Sequence, residues 1–157
     1  MNPYFALHKE FRAAGADVLM SSGQACVLFG IAAFSKDGDW IIRESQESCS
    51  AALDVLASKD ARYRLGMPLD VRWLGRGWTS HFEYFLEDGF RMRVDFVSRP
   101  PRVSDIEQMW HLSSVINEIE VVNVDGLVRL KQTRRIRDYS IIGALAESLG
   151  LEMDNAD

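Results

Sequence analysis

The sequence predicts a mixed α/β (α+β) protein in which a largely antiparallel sheet is flanked by helices. The predicted elements follow the order helix, strand, helix, strands, helices, whereas a doubly wound parallel sheet would alternate strand and helix throughout. Glu87-Asp88-Gly89 stands between two strand-like segments and is a strong hairpin signal. At 157 residues the chain suits a single domain over 1–157, with a C-terminal helical part at about 125–150.

The first third of the chain reads as alternating short elements. Pro3 to Ala14 is amphipathic and is followed by Gly15, which ends helices. Trp40-Ile41-Ile42 favours a strand, and Ser45 is a good helix start before a stripe of apolar residues at helical spacing. The predicted elements here are a helix over 3–14, a strand over 18–20, a tight turn over 21–23, a short apolar segment over 24–29, a strand over 39–43 and a helix from 45 to about 59.

The middle of the chain is predicted to be rich in strands and the end to be helical. Pro68 to Trp73, His81 to Leu86 and Phe90 to Ser98 are three strand candidates. They are followed by a helix over 103–110 capped by Ser104, a strand over 119–124, and two helices, from 125 to about 134 and from 138 to 149.

Composition and charge exclude several classes of protein. The net charge of −5 does not favour non-specific binding to nucleic acid or to an anionic membrane. No apolar run is long enough to span a bilayer, and the first residues lack the features of a secretory signal, so we expect a cytoplasmic protein without a membrane partner. The two cysteines, Cys26 and Cys49, lie in apolar stretches and are expected in the core. No His or Cys spacing predicts a zinc site.

Three carboxylates are the candidate catalytic residues. Asp37 and Asp39 lie two residues apart at the entry to a strand, so both carboxylates point to the same side. Such a pair is costly unless a cation lies between its members, and Mg²⁺ prefers this kind of oxygen site. Asp95 comes later, within an apolar strand where an acidic residue needs a reason. Taken separately, Asp37 and Asp39 would suit a solvated turn, and Asp95 a charge pair with an arginine on an adjacent strand.

The order and spacing of these residues resemble the nucleotidyltransferase superfamily related to DNA polymerase β. The matching pieces are Ser22-Gly23-Gln24-Ala25, then Gly30, then Ser35 to Asp39, then Asp95, and finally the Arg- and Lys-bearing tail. The resemblance is to the small stand-alone bacterial branch that includes nucleotidyltransferase toxins of abortive-infection systems, and it covers about residues 16–149. It adds a nucleotidyltransferase-like sheet to the predicted fold class.

The resemblance implies a reaction and a role for each piece. The turn at Ser22 and Gly23, with Ser35 and Lys36, would bind the phosphates of a nucleoside triphosphate such as ATP. Asp37 and Asp39 would hold Mg²⁺, and Asp95 would complete a second metal site and help to deprotonate the acceptor hydroxyl. Lys131 and Arg135 would offset phosphate charge. The acceptor hydroxyl could belong to RNA, to a protein or to a small molecule.

The sequence departs from the family pattern at three positions, and the first two keep a second hypothesis open. Ser22 stands where the family has the first glycine of its turn, Ala33 where it has an arginine, and Gly38 where it has an aliphatic residue. The first hypothesis is an Mg²⁺-dependent nucleotidyltransferase that transfers a nucleoside monophosphate to a hydroxyl. The alternative is a catalytically degenerate member that acts as a nucleotide sensor or a partner-binding module.

Two further points follow from the sequence. His81 shares a predicted strand with Glu83 and could face the cleft, although a structural or surface histidine is the favoured interpretation. If the three carboxylates converge, their repulsion would destabilise the ion-free fold, so an Asp→Asn change would not cost stability. A structural Asp95 paired with an arginine would behave in the opposite way.

Overall fold

The computed structural model describes residues 2–101 and 103–131. The elements in chain order are α1 (Pro3–Ala14), β1 (Val18–Ser21), α2 (Ser22–Leu28), β2 (Gly38–Ile42), α3 (Gln46–Ser58), β3 (Arg62–Gly66), α4 (Val71–Leu74), β4 (Ser80–Phe85), β5 (Arg91–Val97), α5 (Ile106–His111), β6 (Ser114–Ile116), β7 (Ile119–Val121) and α6 (Val124–Lys131).

The strands form one seven-stranded sheet in the order β3-β4-β5-β2-β1-β7-β6. Four neighbouring pairs are antiparallel, and the pairs β2–β5 and β1–β7 are parallel. The predicted fold class, a mixed and largely antiparallel sheet flanked by helices, is confirmed. The parallel pair β2–β5 matters most for the site, because it brings two strands that are far apart in sequence into direct register.

The first helix has clear start and stop signals. Asn2 accepts hydrogen bonds from the backbone N–H groups of Tyr4 and Phe5, and Pro3 occupies the first turn, where it needs no donor. Gly15 ends the helix with a φ of 102°, a left-handed conformation that glycine adopts without cost. The same logic places α3, since Ser45 caps its start as predicted.

The core lies between α1 and the central strands. Trp40 is fully buried on β2 and packs edge-on against Phe11, with ring centroids 5.2 Å apart, and beside Phe96. Its indole N–H donates to Nδ1 of His8, which is also fully buried. Burial lowers the pKa of His8, although its contact with Glu120 opposes that shift. A neutral imidazole therefore joins the helix to the sheet.

Both cysteines lie in the core, as predicted. Cys26 and Cys49 are each 1% exposed and form no disulfide. Burial raises the pKa of Cys49 to about 11, so its thiol stays protonated and unreactive.

The predicted strand from Pro68 to Trp73 is wrong. The strand in this region is β3, Arg62–Gly66, and Val71–Leu74 form the short helix α4. Asp70 explains the helix, because its side chain accepts a hydrogen bond from the backbone N–H of Arg72 and so caps the first turn. The alternation of β3 is hard to read from the sequence, since most of its residues are exposed.

Smaller differences fall at element ends. Helix α5 is capped by Asp105, not by Ser104. The short strand β6 precedes β7 and was not predicted, and the turn predicted at Ser21 to Gly23 is taken up by the start of α2. Helix α6 agrees with the helix predicted from 125, whereas the helix predicted over 138–149 lies outside the described residues. Within the described ranges, no helix has the length and apolar character needed to cross a bilayer.

Candidate active site

The candidate site is a row of polar residues across the middle of the sheet. Ser21 on β1 pairs with Asp39 on β2, Asp39 pairs with Asp95 on β5, and Asp95 pairs with His81 on β4. Directly paired residues on adjacent strands point to the same face, so these side chains share one surface. With Ser22 and Thr79 they line a cavity of about 230 Å³.

Asp95 is held by two partners. Its Oδ1 lies 2.6 Å from Nδ1 of His81 and accepts a hydrogen bond from the guanidinium of Arg64 at 3.1 Å. The three side chains are only 15–21% exposed. Arg64 reaches the site because the pairing of β3 with β4 shifts register between Tyr63 and Leu65, and such a bulge re-aims a side chain.

Asp37 has the opposite character. One of its carboxylate oxygens, Oδ1, is buried without a hydrogen-bond partner, and Nη1 of Arg93 lies 3.8 Å from it. The loop around it is fixed by Tyr4, whose hydroxyl donates to the Lys36 carbonyl and accepts from the Arg93 N–H. Burial raises the pKa of Tyr4, and the charges of Asp37 and Asp95 raise it further, so the phenol stays protonated. Asp37 thus has one carboxylate oxygen that accepts no hydrogen bond.

Gly38 stands between the two aspartates because nothing larger fits. A Cβ at this position would lie 2.5 Å from the Tyr4 ring and 2.6 Å from the Trp40 ring. The rings of Tyr4 and Trp40 therefore occupy the space that any side chain at position 38 would need. This departure is explained by packing and does not itself alter the carboxylates.

The turn after β1 also explains a departure from the family pattern. Ser22 has a φ of 51°, in the left-handed region, which is where the family has a glycine. Gly23 packs so closely on Ser35 that a Cβ there would meet Ser35 Oγ at 2.1 Å. Helix α2 spans only seven residues, so its dipole adds little to phosphate binding. What the turn offers is close backbone approach.

Replacing Ser22 with glycine is expected to stabilise the protein. The left-handed conformation costs a non-glycine residue about 1–2 kcal/mol, and the added chain entropy of glycine removes part of the gain. We expect a net increase of about 0.5–1 kcal/mol in the free energy of unfolding, measured by urea denaturation. Ser22→Ala is the control, since it removes the hydroxyl without relieving the backbone. Equal stability of both variants would contradict the argument.

The other predicted binding residues are distributed differently. Ser35 and Lys36 line a second cavity of about 490 Å³, together with Phe34, Phe90 and Arg93, and not the cavity that holds Asp39 and Asp95. Lys131 is the last residue of α6, and its side chain is not described. Arg135 lies outside the described residues. The structure thus brings together Ser22, Asp39 and Asp95, and leaves the roles of Lys131 and Arg135 as predictions.

The donor chemistry of the site suits a divalent cation, but the ligands are not assembled as a set of three. Asp39 and Asp95 are register neighbours, and the unsatisfied oxygen of Asp37 is the hard donor that Mg²⁺ prefers. Across the part of the chain that the structure describes, however, no group of three His, Cys, Asp or Glu residues is placed to hold a metal ion. The residue types present are those that bind Mg²⁺. Asp95, however, already contacts Arg64 and His81.

Sequence reasoning missed Arg64 and Thr79 and undervalued His81. Arg64 lies on the strand that was predicted elsewhere, so no pattern pointed to it. Thr79 is a single hydroxyl in a loop, and its Oγ1 lies 2.8 Å from Nε2 of His81. The one available signal was the spacing of Thr79 and His81, which puts two polar groups on one side of an extended segment.

The sequence matches no protein-family model and no curated protein. Solved structures with a similar fold include JHP933 from Helicobacter pylori, at 13% identity and a TM-score of 0.57, with 94% of this chain and 67% of that one covered. An antigenic nucleotidyltransferase-like protein from Paracoccidioides brasiliensis also matches, at 13% identity and a TM-score of 0.57, with 93% of this chain and 74% of that one covered. At this identity the likeness concerns the fold alone: the chain has a nucleotidyltransferase-like fold.

Proposed function

We propose that the protein is an Mg²⁺-dependent nucleotidyltransferase that transfers a nucleoside monophosphate from a nucleoside triphosphate to a hydroxyl acceptor. The observation that carries the proposal is the register of β2 and β5, which sets Asp39 beside Asp95 in a cavity that also includes Ser22. Two adjacent carboxylates repel each other, and a divalent cation bound beside them would relieve that repulsion. The nucleotidyltransferase-like fold is consistent with this activity.

The carboxylates would bind the metal, and the turn after β1 would bind the phosphates. Asp37, Asp39 and Asp95 would hold Mg²⁺, as one ion or two. The bound metal would neutralise phosphate charge and polarise the α-phosphorus. The backbone at Ser22 and Gly23 would approach the phosphates closely. Asp95 would also orient His81, which is placed to take a proton at Nε2.

Positive charge for the triphosphate would come from the edges of the site. Lys36 and Arg93 line the adjacent cavity, and Arg93 already lies beside Asp37, so it can supply a charge that Ala33 does not. Ser35 would support the phosphate turn by its contact with Gly23. Lys131 and Arg135 are proposed to add charge from the tail. The cytoplasm, which supplies nucleoside triphosphates and Mg²⁺, is the proposed compartment.

Calorimetric titration with Mg²⁺ and each nucleoside triphosphate tests the proposal directly. We expect the wild type to bind at least one triphosphate and Asp39→Asn to lose most of that affinity, because the variant loses one of the paired charges. Asp54→Asn removes the same charge from the exposed face of α3 and should bind like the wild type. Absence of binding by the wild type at millimolar triphosphate would overturn the proposal.

A specific observation keeps the sensor or partner-binding alternative in view. Asp95 is ion-paired with Arg64 and hydrogen-bonded to His81, and the described residues form no three-ligand cluster. The discriminating experiment incubates the protein with triphosphates labelled at the α-phosphate and with cell RNA. Label transfer by the wild type and none by Asp37→Asn would support the enzyme. Binding without any transfer to RNA, protein or small molecules would favour the sensor.

A further inference from the structure

Thr79, His81 and Asp95 form a continuous hydrogen-bonded chain. Thr79 Oγ1 lies 2.8 Å from Nε2 of His81, and Nδ1 of His81 lies 2.6 Å from Oδ1 of Asp95. The chain runs from the loop before β4, through β4, to β5. A hydroxyl hydrogen-bonded to an imidazole, which is in turn hydrogen-bonded to a carboxylate, is the arrangement of an activated nucleophile.

The order of these hydrogen bonds determines the tautomer of His81. A carboxylate only accepts hydrogen bonds, so Nδ1 of His81 carries the proton that faces Asp95. In the neutral imidazole, Nε2 is then an acceptor, and the hydroxyl of Thr79 donates to it. The carboxylate fixes the ring, and the free lone pair faces the hydroxyl. This direction of hydrogen bonding draws the proton away from Thr79 Oγ1.

The cluster is packed closely enough to hold this geometry. Gly66 ends β3 with a φ of 84°, and a Cβ there would lie 2.5 Å from the Thr79 carbonyl oxygen and 2.9 Å from the His81 ring. The Thr79 carbonyl in turn accepts a hydrogen bond from the Met67 N–H. The backbone of Gly66 and Met67 therefore packs against Thr79 and restricts its position, and such pre-organisation favours reaction.

Thr79 also shares the cavity with the proposed phosphate site. Thr79, His81, Ser22, Asp39 and Asp95 all line the same space of about 230 Å³. A triphosphate held at the Ser22 turn and the carboxylates would thus bind in the cavity that contains the Thr79 hydroxyl. No acceptor from outside the protein is needed to bring a hydroxyl to this place.

We propose that Thr79 Oγ1 is itself an acceptor and is nucleotidylated by the bound triphosphate, an inference that rests on the proposed function. Oγ1 forms a bond to the α-phosphorus, the bond from that phosphorus to the bridging oxygen breaks, and pyrophosphate leaves with its electron pair. The hydroxyl proton goes to Nε2 of His81. The product is a phosphodiester on Thr79 inside the cavity, which blocks a second turnover, so the modification silences the site.

The test uses the full chain with Mg²⁺ and each nucleoside triphosphate, labelled at either the α- or the γ-phosphate. We expect α-label and a mass gain of one nucleoside monophosphate, saturating at one per chain and mapping to Thr79, with no γ-label. Thr79→Val should abolish the label, whereas Thr79→Ser, which keeps a hydroxyl, should retain it. His81→Gln should slow labelling on the order of 100-fold, because the proton acceptor is lost.

Controls separate this inference from the proposed function. Ser58→Ala removes an exposed hydroxyl from α3 and should label like the wild type, and thermal melts establish that each variant is folded. Transfer to RNA or another acceptor without modification of Thr79 would overturn the inference and leave the proposed function standing. Binding of a triphosphate without any transfer would overturn the inference and favour the sensor alternative. Labelling of Thr79→Val at the wild-type rate, or retention of γ-label, would also overturn it. If no triphosphate binds, both fall.

Discussion

Asp95→Asn is expected to abolish nucleotidyl transfer and to lower the free energy of unfolding by about 2–3 kcal/mol. The carboxylate satisfies both Arg64 and His81, so its removal leaves a guanidinium of low exposure without its counter-charge. Breaking a fully buried pair typically costs about 3–5 kcal/mol, and the 15–21% exposure of these side chains reduces that figure. Urea denaturation followed by circular dichroism measures the loss.

Asp37→Asn is the matched comparison, because the same chemical change removes a carboxylate whose Oδ1 has no hydrogen bond. We expect this variant to be as stable as the wild type or more stable without Mg²⁺, and to lose any stabilisation by Mg²⁺ that the wild type shows. Thermal melts of all three proteins with and without Mg²⁺ give the comparison. Equal stability of Asp95→Asn and the wild type would contradict the structural role of the Arg64 contact.

The difference between Asp37 and Asp95 shows what the sequence could and could not predict. The spacing of Asp37, Asp39 and Asp95 was enough to single them out, and the parallel pairing of β2 with β5 does bring Asp39 and Asp95 together. The sequence could not show that Asp95 already has a cationic partner. That partner, Arg64, comes from β3, which lies far from Asp95 in sequence. Arg64 reaches Asp95 only through a bulge in β3, and no local pattern encodes that contact.

The fold was more predictable than the site because its elements carry local signals. Asn2, Gly15 and Ser45 mark helix ends by capping chemistry that acts within a few residues. β3 was missed because its exposed residues show no alternation, and α4 was taken for a strand because four residues are too few for a helical period. In each case the error occurs where tertiary contacts, not propensity, decide the structure.

The left-handed conformation of Ser22 and the space around Gly38 show that departures from a family pattern need a structure to be interpreted. Ser22 adopts a left-handed backbone conformation that favours glycine, at a cost in strain. Gly38 makes room for Tyr4 and Trp40. From the sequence, Ser22 was one reason to consider a degenerate site, and the structure gives both departures a backbone or packing reason.

Trp40→Ala is expected to cost about 3–5 kcal/mol of stability, the usual range for removing a fully buried large aromatic side chain. Trp40 contacts Phe11 on α1 and Phe96 on β5, so its loss opens a cavity between the helix and two strands. Because Trp40 directly follows Asp39 and Phe96 directly follows Asp95, the cavity lies beneath the paired carboxylates. We therefore expect triphosphate binding to weaken as well.

Trp40→Phe separates packing from the hydrogen bond. The variant keeps an aromatic ring between Phe11 and Phe96 but leaves Nδ1 of buried His8 without its indole donor, which should cost about 1–3 kcal/mol. Urea denaturation of both variants, followed by far-ultraviolet circular dichroism because the tryptophan is removed, gives the two costs. If Trp40→Phe is as destabilised as Trp40→Ala, the hydrogen bond to His8 dominates this part of the core. If it matches the wild type, His8 needs no donor, and the link between α1 and the carboxylate-bearing strand is packing alone.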